Sequence, residues 1–171
     1  QKAFESKQTD VAVLMEGDLE KARTELVQKI GENISVRRIE FVEGDVVSAY
    51  THGAKIAAVT VLTGGTAELA KDISMHIAAS NPQFLSPSEI SEEVLEREKE
   101  VIRAQSEGSG KPAEIIEKMM IGRIKKFEAE ISLTEQAFVK DPDVKVGQLA
   151  KKADAVIQSF VRFEVGEGIE V

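Results

Sequence analysis

Apolar side chains recur at intervals of three and four residues from Leu19 to Ile30, and this spacing predicts an amphipathic helix. Asp18 is expected to cap the first turn of this helix, and Gly31 suits the left-handed residue that ends many helices. The preceding residues 1–16 have no clear period, so we expect little organised structure there.

The apolar pattern switches to alternation in the next part of the chain, where three strand-like segments follow one another. They cover residues 35–43, 46–51 and 55–62. Turns that contain Gly44 and Gly53 separate the segments, so an antiparallel meander is predicted. His52 lies at the second turn, and turns project their side chains into solvent, where recognition residues concentrate.

Helical spacing returns after a pair of glycines and predicts three further helices. The first runs from a Thr66 cap to Ala79 and packs its apolar face on the sheet. Two more lie within residues 87–131, on either side of the glycine-rich segment SEGSGKP. Their apolar positions predict an antiparallel helical hairpin, or coiled coil, with charged outer faces.

The last part of the chain predicts a short helix at residues 146–152 and a final strand over residues 156–165. A strand needs a sheet, and only the earlier meander offers one, so the hairpin is interpreted as an insertion in that sheet. The predicted fold class is α+β, with an antiparallel sheet covered by helices on one face. Residues 35–86 and 132–171 then form one subdomain, and residues 87–131 are inserted in it.

Charge and composition narrow the class of partner. The 171 residues include 30 acidic and 22 basic side chains, and the net charge of −8 disfavours attraction to nucleic acid or to an anionic membrane. No apolar run approaches the ~20 residues that span a bilayer, and the absence of cysteine suits a reducing cytoplasm. A cytoplasmic protein is predicted. Because the chain does not begin with methionine, we expect a fragment of a longer protein.

Motifs that would indicate catalysis or a bound cofactor are absent from the sequence. The segment GSGKP has neither the spacing nor the hydroxyl of a phosphate-binding loop, and no HExxH or GxSxG motif occurs. His76 falls on the helix face directed at the sheet, where a hydrogen-bonded structural histidine is favoured over a metal ligand. The sequence therefore predicts neither an enzyme nor a cofactor, and it favours binding to another protein.

Six segments of the chain form blocks longer than any of these motifs. They are QKIGENISVRR, AYTHGAKI, KDISMHIAASNPQFL, GKPAEIIEKMMIGRIKKF, SLTEQAFVKDP and VRFEVGEGIE. In this order and with this spacing, residues 18–170 resemble elongation factor Ts of bacterial translation, most closely the proteobacterial form. Because the likeness extends to side chains as well as to pattern, it is more specific than a single motif.

The resemblance implies a guanine nucleotide exchange factor that binds elongation factor Tu, GDP-bound or nucleotide-free, and promotes release of GDP. It also implies four partner-binding residues. Ile30 and His52 match positions that lie against the nucleotide-binding domain of the partner, and Phe138 and Val139 match a loop that touches another partner domain. Exchange of this kind is a coupling free energy between two binding sites and needs no catalytic residue.

The sequence departs from the family pattern near its start, where the resemblance leads us to expect a three-helix module and a Thr-Asp-Phe-Val element. Thr9-Asp10-Val11 lacks the phenylalanine, so the role of that element is not carried over. Residues 1–34 are interpreted as the remnant of an N-terminal core subdomain, and binding is predicted in preference to full exchange. An alternative function is an interaction module that docks partner helices through its hairpin, and a homodimer is left open.

Overall fold

The chain divides into two units in the computed structural model, which describes residues 1–106 and 110–168. The first unit is Gln1–Glu43 and the second is Gly44–Val171. Seven α-helices, two short 3₁₀ helices (Pro87–Glu89 and Leu133–Glu135) and five strands lie in the described part of the chain. The helices are α1 (Lys2–Ser6), α2 (Val11–Leu14), α3 (Asp18–Ile30), α4 (Ala67–Ser80), α5 (Glu92–Ser106), α6 (Ala113–Ile131) and α7 (Val146–Lys152). The strands are β1 (Val46–His52), β2 (Ile56–Thr63), β3 (Ala137–Phe138), β4 (Asp141–Lys145) and β5 (Val156–Glu164).

The first unit contains the predicted helix α3, and Gly31 ends it with a left-handed φ of 76°, as expected. The expectation that Asp18 caps this helix is wrong: Gly17 occupies the N-cap position, and Asp18 is the first helical residue. Residues 1–16 are also more ordered than expected, since they form α1 and α2. The Asp10 carboxylate caps α2 by accepting hydrogen bonds from two backbone N–H groups.

The predicted strand over residues 35–43 does not form, although its apolar and polar residues alternate. The side chain of Phe41 instead packs near Phe4, with ring centroids 6.2 Å apart, and the Lys7 ammonium lies 5.1 Å from the Phe41 ring. Alternation predicts an extended chain with two different faces, but a strand also needs a neighbour with free backbone groups. The apolar pattern alone does not supply that neighbour.

The second unit is built on an antiparallel three-stranded sheet in the order β1-β2-β5. In its register Val46 pairs with Leu62, His52 pairs with Ile56, and Ile56 in turn pairs with Glu164. Pairing of the last strand with β2 confirms the prediction that the hairpin is inserted between two neighbouring strands. The α+β fold class is likewise confirmed.

Helix α4 packs against β1 and β2 and closes the core of this unit. Thr66 caps the helix as predicted, since its hydroxyl accepts the Leu69 N–H at 3.1 Å. A buried polar contact fixes the helix on the sheet, because Ser74 Oγ donates to the Ser48 carbonyl (3.0 Å) and accepts from Thr60 Oγ1 (2.7 Å). The buried apolar residues of the core are Ala58, Leu62, Ala70, Ile73, Ile77, Ala78, Leu133, Phe138, Val146, Ala150, Ala155 and Ile157.

Helices α5 and α6 form the predicted antiparallel hairpin. Arg123 Nη1 donates to Gln105 Oε1 at 3.0 Å, near the end of α5, while Lys99, one to two turns earlier, lies beside Ile124 and Glu128. Part of the predicted reversal, residues 107–109, lies outside the described residues.

The two backbone ends of the hairpin lie side by side. Phe84 and Ser132 form a bridge, Gln83 N–H donates to the Ile131 carbonyl at 2.9 Å, and Leu133 N–H donates to the Phe84 carbonyl at 2.9 Å. The insertion therefore leaves and rejoins the core at a single point.

Candidate partner-binding sites

His52 is the last residue of β1 and is exposed. The next residue, Gly53, adopts a positive φ of 58°, which lets the chain turn sharply into β2. Tyr50 lies on the same face of the strand, and its hydroxyl is 3.2 Å from His52 Nδ1. The imidazole is thus held by one neighbour while its other edge remains available to solvent.

A surface groove of about 360 Å³ adjoins His52. Arg162 on β5 forms one wall, where its guanidinium donates to the Ala78 carbonyl at 3.2 Å and to Glu164 at 2.8 Å. The groove is lined by Tyr50, His52, Ile56, Met75, Ala78, Ala79 and Arg162. Its lining combines apolar surface with a few fixed polar groups, which is the composition of many recognition sites.

Phe138 and Val139 lie at a short hairpin of β3 and β4 that the sequence reasoning treated as a loop. Phe138 is only 5% exposed and belongs to the core, whereas Val139 is 46% exposed at the two-residue turn that it forms with Lys140. The Lys140 ammonium pairs with the Asp72 carboxylate on α4 at 2.6 Å. Val139 therefore presents an apolar side chain to solvent, while Phe138 anchors the strand beneath it.

His76 on α4 contacts this turn and is fully buried. Its Nδ1 accepts the Val139 N–H at 3.1 Å, its Nε2 lies 2.9 Å from Gln136 Oε1, and its ring packs on Phe138 with centroids 6.0 Å apart. Burial lowers the pKa of His76, and the hydrogen bond with Gln136 opposes that shift. The expected hydrogen-bonded histidine is confirmed, but its position beneath Val139 was not foreseen.

Ile30 lies in the first unit, at the last position of α3, and its side chain is 46% exposed. A large apolar side chain that is half exposed at a helix end suits a protein contact, but single exposed apolar residues are also common on monomers. The geometry of the helix end comes from Gly31, as the sequence predicted.

Helix α4 supports two of the predicted site residues. Its residues Met75, Ala78 and Ala79 line the groove beside His52, and His76 holds the turn of Val139. The sequence places His52 and Val139 almost ninety residues apart, so this common support could be found only from the structure.

Neither a metal site nor a membrane span emerges from residues 1–106 and 110–168. In that part of the chain no three His, Asp or Glu side chains cluster as metal ligands would. Its helices are all too short or too polar to cross a bilayer.

Comparison with known proteins identifies the family. Residues 1–167 match the family model described as Elongation factor TS. The chain is 63% identical to elongation factor Ts of Hahella chejuensis, in an alignment that covers 98% of this chain and 59% of that protein. It is 61% identical to elongation factor Ts of Pseudomonas syringae pv. tomato, over 99% of this chain and 60% of that protein.

A third relative, elongation factor Ts of Marinobacter nauticus, is 62% identical over 98% of this chain and 58% of its own length. The chain thus spans about three fifths of the length of these curated relatives. The resemblance inferred from the six sequence blocks is confirmed by these matches. The chain belongs to the elongation factor Ts family.

Proposed function

We propose that this chain binds elongation factor Tu and promotes release of its GDP. The observation that carries the proposal is the match to the Elongation factor TS family over residues 1–167. Exchange factors act by binding more tightly to the partner that has lost its ligand, so the two binding equilibria are coupled. Such coupling uses surface contacts and requires no reacting group in the exchange factor.

The exposed residues His52, Val139 and Ile30 are the contacts that we assign to the partner. His52 and Val139 are exposed and have restrained backbones, since His52 pairs with Ile56 in the sheet and the Val139 N–H is bonded to His76, and this reduces the entropy lost on binding. The buried Phe138 acts in this scheme through Val139, by holding β3 in the core.

Binding is expected to exceed exchange activity in this chain. Thr9-Asp10-Val11 lacks the phenylalanine of the element that the family resemblance links to the nucleotide site, and Asp10 is engaged as the cap of α2. In a stopped-flow assay the chain is expected to bind elongation factor Tu but to accelerate GDP release only weakly. Near-complete stimulation would contradict this part of the proposal.

Titration of the chain against GDP-bound elongation factor Tu tests the binding surface. His52→Ala and Val139→Ala are each expected to weaken the affinity by about tenfold, the effect of truncating one of the few residues that dominate an interface. Ile121→Ala is the matched control, because Ile121 is 71% exposed but lies on the hairpin helix α6. The proposal fails if the wild-type chain shows no affinity for the partner.

The same titration distinguishes a second candidate function, in which the hairpin docks partner helices. An apolar groove between α5 and α6 favours it, with Met120, Ile121 and Ile124 beside the Lys99 stem. In that case Ile121→Ala weakens binding and His52→Ala leaves it unchanged.

A further inference from the structure

The hydrogen bonds around His76 define its protonation state. Nδ1 accepts the backbone N–H of Val139, so this nitrogen carries no proton. The proton of the neutral ring then lies on Nε2, which donates to Gln136 Oε1. Gln136 in turn donates its Nε2–H to the Glu130 carbonyl at 2.7 Å. Each of these hydrogen bonds has one donor and one acceptor only when the imidazole is neutral.

The turn that carries Val139 has few other attachments. Strands β3 and β4 pair only at Ala137 with Lys145 and at Phe138 with Asp141, and the register shifts between these two pairs. Pro142 in β4 has no N–H to donate to a ladder. Apart from this ladder, the described contacts of the turn are the exposed ion pair between Lys140 and Asp72 and the bond to His76. Since exposed ion pairs contribute little, the restraints on the backbone of Val139 are the burial of the neighbouring Phe138 and the His76 bond, and only the His76 bond acts on the Val139 backbone directly.

We propose that His76 is a positioning residue for partner binding, whose neutral ring fixes the backbone of Val139 and so the direction of its exposed side chain. This inference rests on the proposed function, because it assumes that Val139 meets elongation factor Tu. His76 itself is fully buried, so its side chain is not on the surface that a partner would meet. It acts by holding the turn in one conformation before binding, which spares the complex the entropy of ordering it.

The geometry makes this restraint sensitive to acid. A protonated Nδ1 is a donor, so it no longer accepts the Val139 N–H. The charged side chains near the site are paired with one another: Asp72 with Lys140, Glu130 with Lys126, and Glu135 with Lys145. Within the described residues, these pairs leave the imidazole bonded to Gln136 and the Val139 backbone alone.

The direction of the pH effect follows from the lowered pKa of the folded state. In the unfolded chain His76 is solvated, has the ordinary histidine pKa of about 6.5, and takes up a proton at a higher pH than in the folded chain. The restraint is therefore complete above a pH of about 6.5 and is lost as the pH falls toward the lower pKa of the folded state.

Two variants and two measurements test the inference. His76→Asn retains an acceptor at the position of Nδ1 and does not titrate, whereas His76→Leu removes the acceptor. We expect hydrogen exchange at the Val139 amide to stay slow in His76→Asn and to accelerate at least about tenfold in His76→Leu. Affinity for GDP-bound elongation factor Tu is expected to fall about five- to tenfold in His76→Leu and to be rescued in His76→Asn.

The pH profile separates positioning from a merely structural role. As the pH falls from 7.5 to below about 6.5, the wild-type affinity is expected to fall more than that of His76→Asn. The two proteins share every other residue and the same partner, so other effects of pH cancel in the comparison. Equal profiles for the two proteins would contradict the inference, as would unchanged exchange at the Val139 amide in His76→Leu. If Val139→Ala weakens binding but His76→Leu does not, the inference fails and the proposed function stands. If no protein binds, the proposed function fails, while the amide measurement still reports on His76.

Discussion

Two histidines in this chain show how surroundings determine the role of a residue type. His52 is exposed at a strand end, with one nitrogen near a tyrosine hydroxyl, and is suited to contact another molecule. His76 is enclosed by the core and uses both nitrogens internally. Helical spacing predicted that His76 faces the sheet, but the partner of Nδ1 lies 63 residues away and no local pattern identifies it.

Gly64 and Gly122 are expected to respond in opposite ways to replacement by alanine. Gly64 has a φ of 72°, and a Cβ there would lie 2.5 Å from the Asp154 carbonyl oxygen. Gly64→Ala is expected to lower the free energy of unfolding by about 2 to 4 kcal/mol, from left-handed strain and the clash combined. Denaturant unfolding followed by circular dichroism measures this change.

Gly122→Ala is the control for that experiment. Gly122 lies inside α6, and a Cβ there would meet nothing within 4 Å. Alanine is expected to stabilise the helix by about 0.5 to 1 kcal/mol. Equal effects at the two positions would show that backbone conformation does not determine the outcome.

At the scale of elements, the strongly periodic helices were predictable and the short strands were not. Helix α4 has both an apolar face and a Thr66 cap, so two independent signals agree on its start. The β3–β4 hairpin lacks glycine or asparagine at its Val139-Lys140 turn, and therefore gave no turn signal. It is held by Phe138 in the core and by His76, which are long-range contacts.

The Thr66 cap is expected to stabilise α4. Thr66→Ala removes the acceptor for the Leu69 N–H and is expected to lower the free energy of unfolding by about 1 kcal/mol. Thr66→Ser keeps a hydroxyl at the same position and is expected to change stability by less than about 0.5 kcal/mol. Thermal or chemical unfolding of the two variants would reveal the difference, and similar losses in both would rule out the cap as the cause.

For the whole molecule, the insertion of a helical hairpin between neighbouring strands was predictable because the last strand required a sheet. The packing of side chains in the first unit could not be predicted from the sequence. Its 43 residues contain no buried side chain, although α3 has a helical apolar period. The pattern of apolar residues predicts which face of a helix is apolar, but it does not state how completely that face is covered.

Helices α3 and α4 are buried to different extents, so we expect their local stabilities to differ. Helices α3 and α4 are similar in length, at 13 and 14 residues, but only α4 contributes side chains to the core. Amide hydrogen exchange within α3 is expected to be at least about tenfold faster than within α4, because the less buried helix opens locally. Mass spectrometry of deuterated peptides can compare the two directly. Equal protection would mean that the two units unfold together.

The bridge between Phe84 and Ser132 has a consequence for the length of the inserted helical hairpin. The segment that leads toward α5 and the residue that follows α6 are joined at that bridge, so the number of residues between them does not set the geometry of the sheet. The entropy of closing a loop grows only with the logarithm of its length. The helical hairpin can therefore be shortened, extended or replaced as a unit, in evolution or by protein engineering, provided that the residues at its base are retained.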